Sequence, residues 1–214
     1  MPQPMGDISV WWPLIAGWAL GYLLGSVPFG LVLTRLGGYG DIRQIGSGNI
    51  GATNVLRTGN KPLALATLIL DSGKGAAAVL IGGYYFGLDM AVMAGGGAFL
   101  GHIFPIYLKF HGGKGVATTL GILIAISWPV GLLTCVTWLV TAALFRISSL
   151  AALIAMLAAP VLAHFMAHPQ IVEFAAFLAV IVFVRHHANI RRIVRGEEPR
   201  IGGKKKSGAT DSEI

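Results

Sequence analysis

Apolar residues run along this chain in long blocks that short, polar, glycine-rich stretches interrupt. Several blocks approach the roughly 20 residues that a bilayer demands of a helix. They predict spans over 10–35, 62–86, 88–108, 149–165 and 171–186. A further block, 116–145, reads either as one long helix or as two short ones joined at Ser127-Trp128-Pro129-Val130-Gly131. Trp11, Trp12 and Trp18 sit near the outer end of the first span, as interfacial aromatics do.

Composition agrees with the blocks. Of 214 residues, 55% are hydrophobic and 12% charged, where a soluble domain carries about 25% charge, and the mean hydropathy is +0.72. The chain reads as an integral membrane protein. Its single cysteine, Cys135, lies in an apolar block, so no disulfide framework forms and a small buried hydrophobe is the reading. No Lys or Arg precedes Arg35, which argues against a secretory signal with a basic start.

The positive charges then fix the topology. Fifteen of the 16 Lys and Arg residues fall in 35–61, in 109–114, at Arg146, or from Arg185 onward. The alternate loops near Asp89, Pro129 and Pro169 hold none, and positive residues stay on the cytoplasmic side. For the basic tail to share a side with the first loop, 116–145 must cross twice. The fold class expected is therefore all-α, with seven transmembrane helices, the N-terminus outside and the C-terminus cytoplasmic. The two middle helices are short, about 18–24 Å against a core of ~30 Å. A single membrane domain over 1–195 and a polar, basic, disordered tail over 196–214, with Lys204-Lys205-Lys206 near anionic headgroups, complete the organisation. The net charge of +7 does not signal nucleic acid, because it is a topology signal. The remaining cation, Lys74, lies inside the second span three residues after Asp71, on one helix face. Charge at that depth is either a brace between helices or a substrate contact.

On this topology the polar stretches share one membrane face. Gly46-Ser47-Gly48-Asn49-Ile50-Gly51-Ala52-Thr53-Asn54 has glycines for close backbone approach and neutral donors, with Arg43 and Arg57 at its flanks. Alone it reads equally as a tight loop or as a phosphate cradle. His111-Gly112-Gly113-Lys114-Gly115 opens the fourth helix, Arg146-Ile147-Ser148-Ser149 the sixth, and Arg185-His186-His187-Ala188-Asn189 closes the seventh. Lys114 and Ser149 stand at helix N-termini, and His186 and Asn189 share a helical face, so a cationic, amide-rich pocket for phosphate is the inference. The G-x-G-x-x-G within the first stretch has no strand before it, and Ala52 stands where a P-loop would need lysine. His and Cys are too sparse for a metal site: His164 and His168 lie on the outer side.

The segments GSGNIGATNVLR, GGKGVAT and RHHANIRRIVRGEE, in this order, resemble the acyl-phosphate-dependent glycerol-3-phosphate acyltransferases of bacteria. LLGSVPFG, LDSGKG and GHIFP match as well. The resemblance implies a multi-pass enzyme of the bacterial inner membrane with its active site facing the cytoplasm. Its reaction transfers an acyl group from acyl phosphate to the 1-hydroxyl of glycerol 3-phosphate, giving lysophosphatidic acid and inorganic phosphate. Carried over position by position, His186, Asn189, Lys114 and Ser149 are catalytic. Substrate phosphate falls to Ser47, Gly48, Asn49, Thr53, Asn54 and Arg57 of the first motif and to Gly112, Gly113 and Gly115 of the second. No metal or cofactor is expected, and the partners are acyl phosphate, glycerol 3-phosphate and membrane lipid, with the protein acting as a monomer.

For His186 two roles stay open: general base, or hydrogen-bond donor to phosphate with the proton passing to substrate phosphate, the role the resemblance favours. No H-x-x-x-x-D occurs, which counts against the histidine–aspartate class of acyltransferases. A transporter of a phosphorylated metabolite is the alternative, but the outer loops are almost uncharged where a translocation path would need polar groups at both faces.

Overall fold

The computed structural model describes residues 8–202, in which every regular element is helical. The α-helices are α1 (Ile8–Gly25), α2 (Phe29–Leu36), α3 (Ala52–Val55), α4 (Lys61–Ile103), α5 (Val116–Ile126), α6 (Trp128–Phe145), α7 (Ser148–Met166), α8 (Pro169–Arg185) and α9 (His187–Val194).

The 43 residues of α4 are two helices joined at Gly87, whose φ of 78° and ψ of −167° suit only glycine. A Cβ placed on Gly82 would lie 2.9 Å from the Met90 carbonyl oxygen. In an unbroken helix those residues would stand about 12 Å apart, so the chain doubles back and makes two antiparallel limbs, 61–86 and 88–103. These are the second and third helices expected from the sequence. The later one ends at Ile103 rather than Leu108, because Phe104 and Pro105 leave the helix and 106–108 form a separate turn. The ambiguous block resolves in the same way. Ser127 is extended, and Gly131 packs directly on the backbone of Leu123 and Ile124, so α5 and α6 form a tight hairpin.

The first expected span is corrected. It does not run unbroken to Arg35 but stops at Gly25, and α2 starts after Pro28. A break in an apolar setting leaves carbonyls without partners. Here Lys74 Nζ donates to the Val27 carbonyl at 2.9 Å and also lies 2.8 Å from Asp71 Oδ1. The two side chains are 1% and 2% exposed, and the Thr118 hydroxyl donates to the Asp71 carbonyl oxygen at 3.0 Å. The pair thus braces the break, the first limb of α4, and α5. Removing one partner of such a buried pair strands the other, which is costly.

Helix α1 packs on the second limb of α4 at backbone distance. Side chains on Gly21, Gly25, Gly97 or Gly101 would collide with carbonyl oxygens of the opposite helix, the small-residue contact typical of helices in lipid. Phe99, Ile103, Ile122, Met156, Leu178 and Val182 form the buried core where this limb meets α5, α7 and α8. Outside it, large apolar side chains such as Tyr84, Phe165, Leu144 and Val180 are exposed by more than half, a surface made for lipid rather than water. Among the described residues, four stretches are long and apolar enough to cross a membrane: Trp11–Leu36, Lys61–Leu108, Trp128–Phe145 and Ser148–Met166. Helices α8 and α9, bent by 64° at His186, would add a fifth if taken together.

Candidate active site

Four chain segments meet at one end of the bundle: the loop before α4, the turn before α5, the start of α7, and the α8–α9 bend with the chain beyond it. Between them lies a cavity of about 550 Å³, within the usual range of ligand pockets.

The first segment is built around Asn54, which is 2% exposed. Its Nδ2 donates to the carbonyls of Ile42 (3.0 Å), Ile45 (3.0 Å) and Asn49 (2.7 Å), and its Oδ1 accepts from the Ser47 amide at 3.1 Å. Beneath, Ile42, Ile50 and Val55 pack with Leu31 and Ala64. Asn54 therefore folds the loop, and its polar atoms are taken up there rather than left for phosphate as the sequence suggested. Gly46, with φ of 57°, leaves room for Arg57: a Cβ there would lie 2.6 Å from the Arg57 Cδ and Nη1. Of the two flanking arginines, Arg43 turns away to Asp41 (Nη2–Oδ2 2.5 Å), whereas Arg57 lines the cavity. Ser47, Asn49 and Thr53 line it too. Gly48 does not, and its amide donates to the Ile45 carbonyl at 3.0 Å.

The glycines before α5 carry a second correction. The amides of Gly112 and Gly113 donate to the carbonyls of Ile103 (3.1 Å) and His102 (3.0 Å), so they form no free anion cradle. A side chain on Gly113 would collide with the His102 ring. Arg185 Nε donates to the Gly113 carbonyl oxygen at 3.3 Å from the far side. The turn is thereby clamped to the end of α4, and Gly115, at φ 85°, closes it against Phe99. What this clamp delivers to the cavity is Lys114, whose Nζ donates to Asn189 Oδ1 at 2.5 Å.

Ser149 and Asn189 are 8% and 4% exposed, and His186 3%. His186 stands beyond the end of α8, and its Nδ1 is 2.8 Å from the Val182 carbonyl oxygen. A carbonyl only accepts, so Nδ1 carries the proton and Nε2 keeps its lone pair. Burial pushes the ring's pKa down to about 4 against the pull of the Val182 bond, with Lys114 adding to the fall. Burial likewise lowers Lys114 to about 8; Glu198 opposes this, while Arg192, Arg185 and Arg57 reinforce it.

Several lining residues were not assigned to the site from the sequence. Ser148 Oγ lies 3.2 Å from Thr53 Oγ1, linking the first loop to α7. Asp71 and His102 form part of the floor. The main omission is Glu198. The sequence assigned everything from Gly196 to a disordered tail, yet 196–202 lies against the body. Gly196, at φ 69°, reverses the chain after α9, and Glu198 Oε1 accepts from Ser149 Oγ (2.7 Å) and Asn189 Nδ2 (2.5 Å). Arg192 Nε donates to its other oxygen at 2.6 Å. Burial alone would raise the Glu198 carboxyl, but these three donors outweigh it and hold it below the usual range. A glycine just past a helix end, followed by an acid, was the available signal. Lys204, Lys205 and Lys206 lie outside the described residues.

Away from this polar rim the cavity wall turns apolar, with Leu65 and Leu68 from α4, Leu120 from α5, and Cys135, Trp138 and Leu139 from α6. One space thus joins a cationic, hydrogen-bonding end to a hydrocarbon-compatible one.

Residues 15–196 match the family model described as glycerol-3-phosphate acyltransferase. The glycerol-3-phosphate acyltransferase of Paramagnetospirillum magneticum is 66% identical over 91% of this chain and 96% of its own. That of Rhodospirillum rubrum is 58% identical over 95% and 99%. The crystal structure of PlsY, an integral membrane glycerol 3-phosphate acyltransferase, in its glycerol 3-phosphate form superposes with a TM-score of 0.84 at 36% identity, covering 89% of this chain and 96% of that one. Its lysophosphatidic acid form gives 0.83 at 35%. This chain belongs to the glycerol-3-phosphate acyltransferase family, integral membrane enzymes of phospholipid synthesis.

Proposed function

We propose that this pocket transfers an acyl group from acyl phosphate to the 1-hydroxyl of glycerol 3-phosphate, releasing lysophosphatidic acid and inorganic phosphate. The observation that carries the reading is the single cavity with Lys114, Arg57, Ser47 and Ser149 at one end and Leu65, Leu68, Leu120, Trp138 and Leu139 at the other. Such a shape suits a donor with a phosphate head and a hydrocarbon tail, together with a second, small phosphate-bearing substrate. The related structures were obtained with glycerol 3-phosphate and with lysophosphatidic acid, which supports those two as substrate and product.

In the reaction the 1-hydroxyl oxygen bonds to the acyl carbon, the bond from that carbon to the phosphate oxygen breaks, and phosphate leaves with the electron pair. Phosphate is a good leaving group, so no covalent acyl-enzyme is required. The protein holds the hydroxyl against the carbonyl and neutralises two phosphates, and positioning of this kind lowers barriers by up to roughly 7–11 kcal/mol in intramolecular models. Lys114 and Arg57 supply the countercharge. The Nδ1–Val182 hydrogen bond supports Nε2 of His186 as an acceptor, oriented to take a hydrogen bond or proton from the 1-hydroxyl rather than to donate to phosphate. Bringing two anions beside the ring raises its basicity, the direction that favours proton uptake.

The remaining expectations belong to the same proposal. Seven passes, with α4 contributing two and α5 a short one, put the loops bearing Arg57, Lys114, Arg146 and Arg185 on one side. The positive-inside tendency makes that side the cytoplasm of the bacterial inner membrane, with the N-terminus outside. The acyl chain enters laterally from the bilayer, and the enzyme works as a monomer without metal or cofactor. The test is turnover of purified protein in lipid with glycerol 3-phosphate and, in parallel, palmitoyl phosphate, palmitoyl-CoA or palmitoyl carrier protein. Palmitoyl phosphate alone should give lysophosphatidic acid. Turnover with either thioester and none with palmitoyl phosphate would overturn the donor assignment.

A further inference from the structure

A carboxylate at the rim of a pocket that gathers phosphates opposes their binding, unless its charge organises the groups that hold them. Glu198 is held there by Ser149 Oγ at 2.7 Å, Asn189 Nδ2 at 2.5 Å and Arg192 Nε at 2.6 Å. The segment carrying it is tied down by the Ile201 amide donating to the Arg146 carbonyl oxygen (2.6 Å) and by Arg146 Nη2 donating to the Ile201 carbonyl oxygen (3.0 Å). Asn189 sits between Glu198 and Lys114. A carboxylate only accepts and an ammonium only donates, so the Asn189 amide has one possible orientation: Nδ2 toward Glu198 and Oδ1 toward Lys114. A flipped amide would set NH2 against ammonium and carbonyl against carboxylate.

We propose that Glu198 is a positioning residue for the acyl-transfer site, orienting Asn189 and Ser149 directly and Lys114 through Asn189. The inference rests on the function proposed for the pocket. The chain Arg192–Glu198–Asn189–Lys114 is continuous, and each link is charge-assisted. Glu198 also offsets Arg57, Arg185 and Arg192, the cations that make it harder for Lys114 to keep its proton. The opposing reading is a latch, in which the carboxylate merely occupies the place of a phosphate and competes with it.

The experiment compares wild type, Glu198→Gln and Glu198→Asp, all in the same lipid. It measures calorimetric binding of glycerol 3-phosphate across pH 6–9.5, kcat and KM with palmitoyl phosphate as donor, and size-exclusion profiles. Loss of the charge in Glu198→Gln should weaken binding about tenfold or more, the size of a charge-assisted hydrogen bond. It should also move the alkaline limit of binding to lower pH, which a purely structural role would not do. Glu198→Asp keeps the charge but shortens its reach, so binding should weaken with the alkaline limit unmoved. Wild-type affinity and an unmoved limit in Glu198→Gln would overturn the proposal, and tighter binding would establish the latch in its place. If Glu198→Gln does not fold, Glu198→Asp decides, and wild-type affinity there overturns the proposal. Absence of turnover by the wild type would count against the acyl-phosphate reaction alone, since the binding measurements still read the role of Glu198.

Discussion

Lys114 Nζ and Asn189 Oδ1 lie 2.5 Å apart although 75 residues separate them in sequence. The contact joins the glycine turn before α5 to the helix after the His186 bend, and so fixes where the partly buried ammonium sits in the pocket. Because burial brings Lys114 down to about 8, its proton is present below that pH and lost above it. The expected outcome is a kcat/KM that falls as pH rises through about 8, reporting the free enzyme. Lys114→Ala should lose roughly ten- to a hundredfold in kcat/KM, a charge-assisted contact of about 1.5–3 kcal/mol, and no longer show that limb. Lys114→Arg should recover only part of this, since a planar fork cannot reproduce a point ammonium. A folded Lys114→Ala protein with normal turnover would remove Lys114 from the site.

His186 presents Nε2 as an acceptor. His186→Asn should therefore lower kcat by about two to four orders of magnitude if the ring takes the hydroxyl proton, with binding of glycerol 3-phosphate little changed. Steady-state kinetics paired with calorimetric binding makes the separation. Weakened binding with kcat retained would instead return the ring to the role of phosphate donor.

The ion pair under the pocket is a stability matter. Lys74→Met leaves Asp71 buried with only the His102 ring, 3.6 Å away, beside its carboxylate, and the Val27 carbonyl without its donor. A loss of about 3–5 kcal/mol is expected, read as a lower thermal midpoint in detergent. The double variant Asp71→Asn with Lys74→Met should recover part of it. A single variant as stable as wild type would show that the helix break needs no buried cation.

Much of this architecture was legible in the chain. The apolar blocks and the charge partition located the reversals at Gly87 and near Ser127, and the polar stretches assigned to one face bring Lys114, Ser149, His186 and Asn189 to one pocket. Less legible was which donors remain free after folding. A sequence shows that Gly112, Gly113 and Asn54 carry amide groups, but not that Ile103, His102 and the 42–49 carbonyls accept from them. The break before Pro28 escaped notice because hydropathy continues smoothly across it, and the residue that braces it, Lys74, is distant in sequence. Glu198 was missed because a polar run after a helix looks solvated until the partners that hold it are known.

The contact between α1 and the second limb of α4 yields a prediction independent of chemistry. Gly25→Leu would drive a side chain into the Ala98 backbone, where nothing flexible can give way. Overpacking of this kind costs typically about 1–3 kcal/mol, so thermal stability should fall while any protein that remains folded keeps its KM for glycerol 3-phosphate. A stable Gly25→Leu protein would mean that the two helices do not approach at backbone distance.

The central claim is that the 1-hydroxyl attacks the acyl carbon and that phosphate departs with its own oxygens. Glycerol 3-phosphate carrying oxygen-18 in the 1-hydroxyl, turned over with unlabelled palmitoyl phosphate, tests this directly by mass spectrometry of both products. The label should appear wholly in the ester oxygen of lysophosphatidic acid, with none in the released phosphate. Label joined to phosphorus would mean attack on the phosphoryl group and would contradict acyl transfer in this pocket.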